Sequence, residues 1–310
     1  MPAAPAFRYR LGLNQPAHSP TARRMAEMAA AVNAETAGVF HLDVFPESRL
    51  GPDPQMFADV RSGALDFFVS GATLGGVAPS SSLPMLPFAF KDSASVFAAL
   101  DGELGDIIRR ELRQNGLHAF PRSMQNGFHH ITTANRPIRT ADDFAGLKIR
   151  SPGGAFAGDF FRTLGAEAGM VPFSGLYEAL KAGTFDAQSD PLGVVLSLKL
   201  YEVQTCLTLT GHWWSGFTLL ANMARWQALP GEVREAVERH AAHFALLQRQ
   251  DTEAINAAGA EQLLRHGMVV NTADTDSFKA RLGPFYASWR PRFDLAAWRA
   301  LEAHAGPVGG

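Results

Sequence analysis

The chain has 310 residues, 46% of them hydrophobic and 19% charged, with a formal net charge of −2 and one cysteine. Its length points to two domains. The absence of long like-charge runs removes the field that draws proteins to nucleic acid or anionic lipid, and Cys206 alone excludes an intrachain disulfide or a multi-cysteine metal site.

In chain order, "FRYRLGLN" reads as a strand ending at Asn14. "SPTARRMAEMAAAVNAET" opens with a Ser N-cap and Pro at the first helical position, then repeats Ala and Met at helical spacing. "VFHLDVF" is the next strand, 54–62 a helix and "ALDFFVS" a third strand. The uncharged stretch 67–90 is not a membrane span, because Pro79, Pro84 and Pro87 interrupt any helix through it. Strand-to-helix units in series predict a parallel sheet with helices on its faces. Ligands then sit outside the carboxyl ends of the strands, where Asn14 and Ser70 fall; both residue types are also ordinary turn and cap formers.

A second α/β series begins near Gln125 with "GFHHITTANRPI", the short capped helix "TADDFAG" and the strand "LKIRSP". "GMVPF", "SGLYEALKAG" and "TFDAQSDP" continue it as strand, helix and strand, and "GFTLLAN" is a further strand. Residues 230–267 carry one helical pattern. At 1.5 Å per residue it extends roughly 50 Å, enough to run along both lobes. The expected division is residues 1–125 with 215–255 in one lobe, and 126–214 with 256–310 in the other.

Arg150 ends an apolar run and is followed by Ser151, Pro152 and two glycines. A guanidinium there needs an anionic partner, either an internal carboxylate or a bound one gripped by its planar fork. Asp190, held extended before Pro191, either accepts from a ligand hydroxyl or amine or caps the following helix. Trp213 and Trp214 point to opposite faces of an extended segment, one into a core and one available as a ligand wall. His129 and His130 alternate likewise, so one of the two can face a cleft. No G-x-S-x-G, G-x-x-x-x-G-K-[ST] or G-x-G-x-x-G is present, and His240 with His243 lacks the H-E-x-x-H pattern. No catalytic anchor is visible, and no cofactor or metal is expected.

"LGLNQPAHSP", "FPESRLG", "GALDF", "SMQNGFHHITTANRPI", "FAGLKIRSP", "MVPFSGLYEALKAGTFDAQSDPL" and "YEVQ" occur in that order. Together they make nearly the whole chain resemble the solute-binding proteins of tripartite ATP-independent periplasmic (TRAP) transporters, of the DctP type. The resemblance implies a two-lobed α/β periplasmic-binding-protein fold with a ligand cleft between lobes and a long helix spanning both. It implies a monomeric periplasmic protein, its export signal not part of this sequence, that hands a small organic acid to TRAP membrane subunits. It assigns the carboxylate clamp to Arg150, the packing aromatic to Phe173, a first-lobe contact to Asn14, and ligand-dependent positions to Trp213 and Trp214. Asp190 stands where the family usually has Asn, and His129 where many relatives carry a second Arg. Loss of a second permanent cation and gain of a carboxylate favour a monocarboxylate with a hydroxylated, amino-bearing or aromatic body. Two alternatives stay open: a ligand-sensing module for a signalling partner, and an enzyme with His129 or His130 as general base oriented by Asp190.

Overall fold

In the computed structural model, residues 5–71, 74–152 and 154–309 are described; Gly153 of the turn after Arg150 lies outside them. Twelve strands appear among these residues: β1 Phe7–Gly12, β2 Phe40–Phe45, β3 Phe67–Ser70, β4 Leu117–Ala119, β5 Met124–Phe128, β6 His130–Thr133, β7 Lys148–Ser151, β8 Glu167–Met170, β9 Ala187–Asp190, β10 Cys206–Leu209, β11 Trp214–Asn222 and β12 Val269–Thr272. They form two six-stranded sheets. The first runs β2-β1-β3-β11-β4 with β5 added to β11, and the second runs β12-β10-β6-β9-β7-β8.

The first lobe begins as the sequence pattern predicts. β1 pairs in parallel with β2 and β3, and the connection between β1 and β2 is the helix Pro20–Glu35, whose Ser19 hydroxyl accepts from the Ala22 N–H. Met25, Met28 and Val32 on one face of that helix are buried against Leu11, Phe40 and Phe67 of the sheet. Residues 74–85 fold as short 3-10 turns, as the prolines require.

β11 ties the two lobes together. Its carboxyl half pairs antiparallel with β3 and β4, and its amino half pairs with β5, with a register shift between Ser215 and Gly216. Glycine is required at this shift: a Cβ on Gly216 would lie 2.5 Å from the Met124 carbonyl oxygen and 2.1 Å from the Trp214 ring. β5 continues into β6 of the second sheet through a single residue, His129. The helix Gly231–Arg265 has 35 residues, about 52 Å, and packs on helix Pro20–Glu35 and β5 as well as on helix Leu192–Ser197 and β12.

Two expectations need correction. The strand expected over "GMVPF" is β8, which stops at Met170; Pro172 then opens the 3-10 turn Phe173–Gly175 because its nitrogen cannot extend a ladder. The carboxyl-terminal segment is not simply part of the second lobe. Helix Leu295–Ala305 packs on the first-lobe helices Ser93–Leu100 and Glu103–Gln114, burying Trp298 and Leu301 in a cluster with Val96, Ala99 and Leu104. Just before it, helix Gly283–Trp289 straddles the seam. Phe285 meets Phe156 of the second lobe, at 5.1 Å between ring centroids, while the Tyr286 hydroxyl donates to the Pro87 carbonyl of the first, 2.6 Å away.

Candidate functional site

The second sheet delivers Arg150 and Asp190 to the same place. β7 and β9 are adjacent parallel strands, with Ile149 beside Ala187 and Arg150 beside Gln188, so their carboxyl ends point the same way. Both side chains are almost wholly buried, at 3% and 5% exposure. Arg150 Nη1 donates to Asp190 Oδ2 at 3.2 Å, and its Nε and Nη2 reach the Val171 carbonyl at 3.4 Å. These contacts are long for charge-assisted bonds, and the pairing with Asp190 is one-armed rather than fork to fork. Asp190 does not cap the next helix, whose N-cap is Pro191 without a side-chain bond.

A second carboxylate approaches from the first lobe. Asp53, at the first turn of helix Asp53–Ser62, accepts from Asn14 Nδ2 at 2.6 Å through Oδ2. Its other oxygen, Oδ1, is buried and has no partner. Burial raises the Asp53 pKa against the opposing pull of Asn14 and Arg150, and burial raises Asp190 to about 6 although Arg150 opposes it. Arg150 is lowered by burial, with Asp190 and Asp53 working the other way. Desolvation therefore exceeds the mutual attraction at all three groups.

A cavity of about 60 Å³ lies among these groups, lined by Asn14, Asp53, His129, Arg150, Phe173 and Asp190 together with Asn126 and Ser215. It adjoins a cleft of about 660 Å³ that shares Asp53, Met85, Arg150, Pro152 and Phe173. Phe57 of the first lobe, Phe156 of the second and Trp289 of the seam also wall the cleft, and Arg292 stands at its exposed edge. Charged and hydrogen-bonding side chains crowd the small cavity, whereas the cleft is largely apolar.

Five of the eight residues singled out in the sequence thus border one cavity: Asn14, His129, Arg150, Phe173 and Asp190. Trp213 and Trp214 do point opposite ways, but each anchors a lobe. Trp213 packs on Phe160 and Phe161 at 4.8 and 5.4 Å, and Trp214 meets Phe97 edge-on at 5.5 Å. Ser70 is fully buried at the end of β3, one residue before the cavity-lining Gly71. Asp53 was missed because an acidic residue before Pro54 at a helix start reads as plain capping chemistry; Asn126 and Ser215 carried no signal of their own.

The histidines are held neutral. His129 bonds Ser189 Oγ at 3.1 Å through Nδ1 and Ser215 Oγ at 2.7 Å through Nε2, and burial lowers it to about 3. His130 turns away and accepts from the Thr210 and Gly211 N–H groups, both at 3.1 Å, with its pKa lowered to about 4 by burial. Neither ring contacts Asp190 as a general base would contact its orienting group.

The chain matches the family "Bacterial extracellular solute-binding protein, family 7" (DctP) over residues 11–291. It belongs to that family, the solute-binding proteins of TRAP transporters, and is a binding protein rather than an enzyme. The 2,3-diketo-L-gulonate-binding periplasmic protein of Escherichia coli K12 is 32% identical over 80% of this chain and 76% of its own. A TRAP periplasmic solute-binding protein of Xanthobacter autotrophicus Py2, solved with β-D-galacturonate, superposes with a TM-score of 0.90 at 28% identity, covering 96% of this chain and 99% of that one. The sugar-acid-binding protein of Advenella mimigardefordensis, solved with galactonate, gives 0.92 at 27% identity, covering 97% and 99%. The two-lobed α/β fold is the fold of these proteins. Among the described residues no helix is long and apolar enough to cross a membrane.

Proposed function

We propose that the chain captures a small monocarboxylate in the periplasm, gripping its carboxylate with Arg150, and delivers it to TRAP membrane subunits. The observation that carries this reading is an almost wholly buried guanidinium at a strand end, bordering both the small cavity and the cleft. A permanent cation so removed from water gains most from an anion it can hold with several donors at once. With one arm on Asp190 and Nε and Nη2 on the Val171 carbonyl, one N–H on each of Nη1 and Nη2 remains for a bidentate partner.

The body of the ligand carries hydroxyl or amine groups. Asn14, Asp53, Asn126 and Ser215 surround the place next to Arg150, and two carboxylates there repel a second acid group. Phe173, half-buried and shared by cavity and cleft, supplies a face for the carbon skeleton. The sugar acids bound by the two structural relatives fit this description. Thermal-shift and calorimetric screening of sugar and hydroxy acids tests it: stabilisation by a member of that set, lost in Arg150→Ala, is the expected result, and equal binding by the variant would overturn it.

A further inference from the structure

The ion pair between Arg150 and Asp190 makes the site a closed circuit before any ligand arrives. One cation faces two carboxylates, Asp190 at 3.2 Å and Asp53 across the cavity. A ligand carboxylate docking on Arg150 brings a third negative charge beside a cation and a carboxylate that are both almost wholly buried. Like charges so close cannot all remain ionised. Resting on the reading above, we propose that this site takes up its ligand together with one proton: the ligand carboxylate displaces Asp190 from Arg150, Asp190 binds a proton from solvent, and the orphan Oδ1 of Asp53 accepts a ligand hydroxyl.

Three observations support this. The displaced bond is single and long, so a bidentate carboxylate replaces it with better geometry. Asp53 Oδ1 is a buried acceptor without a donor, which is costly unless something supplies one. Asp53, which burial also raises, keeps the Asn14 Nδ2 bond that favours its ionised form, and the imidazoles facing Asp190 do not compete for the proton. His130 is its ladder partner across β6, His129 borders the same cavity, and His212 reaches its neighbour Ser189 at 3.0 Å; burial lowers all three, to about 4, to about 3 and well below 6.5. The Arg150 guanidinium stays cationic at ordinary pH. Asp190, at about 6 when paired to Arg150, rises further once that partner is taken, so it is the group placed to titrate. An Asn at this position would have no proton to exchange.

The sign follows directly. Above pH about 6 the free protein holds Asp190 ionised and the complex holds it protonated, so binding takes up one proton and affinity falls tenfold per pH unit. Below that pH Asp190 is protonated in both states and the dependence vanishes.

The test is calorimetry with D-galactonate, D-galacturonate and D-erythronate at pH 7.5, in phosphate and in Tris, whose ionisation enthalpies differ. The dependence of apparent enthalpy on buffer gives the protons taken up. A value near one, falling towards zero at pH 5, is expected, as is its loss in Asp190→Asn. Arg150-dependent binding with no proton uptake at pH 7.5 would overturn this inference and leave the proposed function intact. Tight binding of an amine-bearing acid such as 4-aminobutyrate without proton uptake would also overturn it, because an ammonium group would then balance the two carboxylates. If no acid in the set binds, both readings fall. The wild-type measurement decides the matter even if the variant does not fold.

Discussion

Replacing Arg150 with alanine tests two consequences of the same buried charge. For binding, truncating one partner of a desolvated, hydrogen-bonded charge pair costs about 2 to 5 kcal/mol, which is a loss of about 30-fold to about 5,000-fold in affinity. For stability, the variant strands Asp190, at 5% exposure, without its cation, a change that costs about 3 to 5 kcal/mol when the remaining charge cannot neutralise. Asp190 can neutralise. Its pKa of about 6 beside Arg150 rises in the variant, so the penalty is largest at pH 8 and shrinks as pH falls. Denaturant unfolding of wild type and Arg150→Ala at pH 5 and 8, with titration of D-galactonate, checks both. A variant that binds within twofold of wild type, or that loses the same stability at both pH values, refutes the reasoning. Arg150→Lys is expected to bind poorly too, because an ammonium lacks the planar fork.

Asp190→Asn alters how the free protein responds to pH. A carboxyl raised in the folded state contributes stability that is fully present below its unfolded pKa and is lost as pH rises through about 6. The wild-type minus variant stability is therefore expected to fall between pH 4 and 7, and a flat difference in melting scans would contradict this. Gln248, wholly buried, accepts from the Gln125 N–H and donates to the Gln125 carbonyl and the hydroxyls of Thr21 and Thr252, holding the long helix to β5. Gln248→Ala leaves several of these groups unpaired and should cost on the order of 3 kcal/mol in chemical denaturation; a loss under about 1 kcal/mol would mean water replaces them. Gly216→Ala forces the Met124 carbonyl away from a Cβ at 2.5 Å and is expected to lower the melting temperature by several degrees, as differential scanning calorimetry would show.

The strand and helix order of the first lobe was legible because each element there carries its own local signal: Ser19 and Pro20 open a helix, and prolines break 79–87. The carboxyl-terminal arrangement was not. Trp298 and Leu301 read as the apolar face of any helix, and nothing local says that this helix packs on Ser93–Leu100 and Glu103–Gln114 of the other lobe. The site divides in the same way. Arg150 and Asp190 stand out as charges at strand ends, since burial makes a charge there costly. Their pairing depends on β7 and β9 being neighbours, a fact of sheet order that neither segment encodes alone. Trp213 and Trp214 could not be sorted from sequence because large aromatics serve cores and ligand walls equally well; here Trp213 packs on Phe160 and Phe161, and Trp214 on Phe97.

The account rests on a ligand carboxylate meeting Arg150, and a crystal structure with D-galactonate or D-galacturonate bound tests that most directly. The predicted result is a carboxylate held by two guanidinium N–H groups at about 2.7 to 2.9 Å, with Asp190 released from Arg150 and Asp53 Oδ1 within hydrogen-bonding distance of a hydroxyl. An acid bound in the cleft with its carboxylate elsewhere and the Arg150–Asp190 pair intact would contradict it.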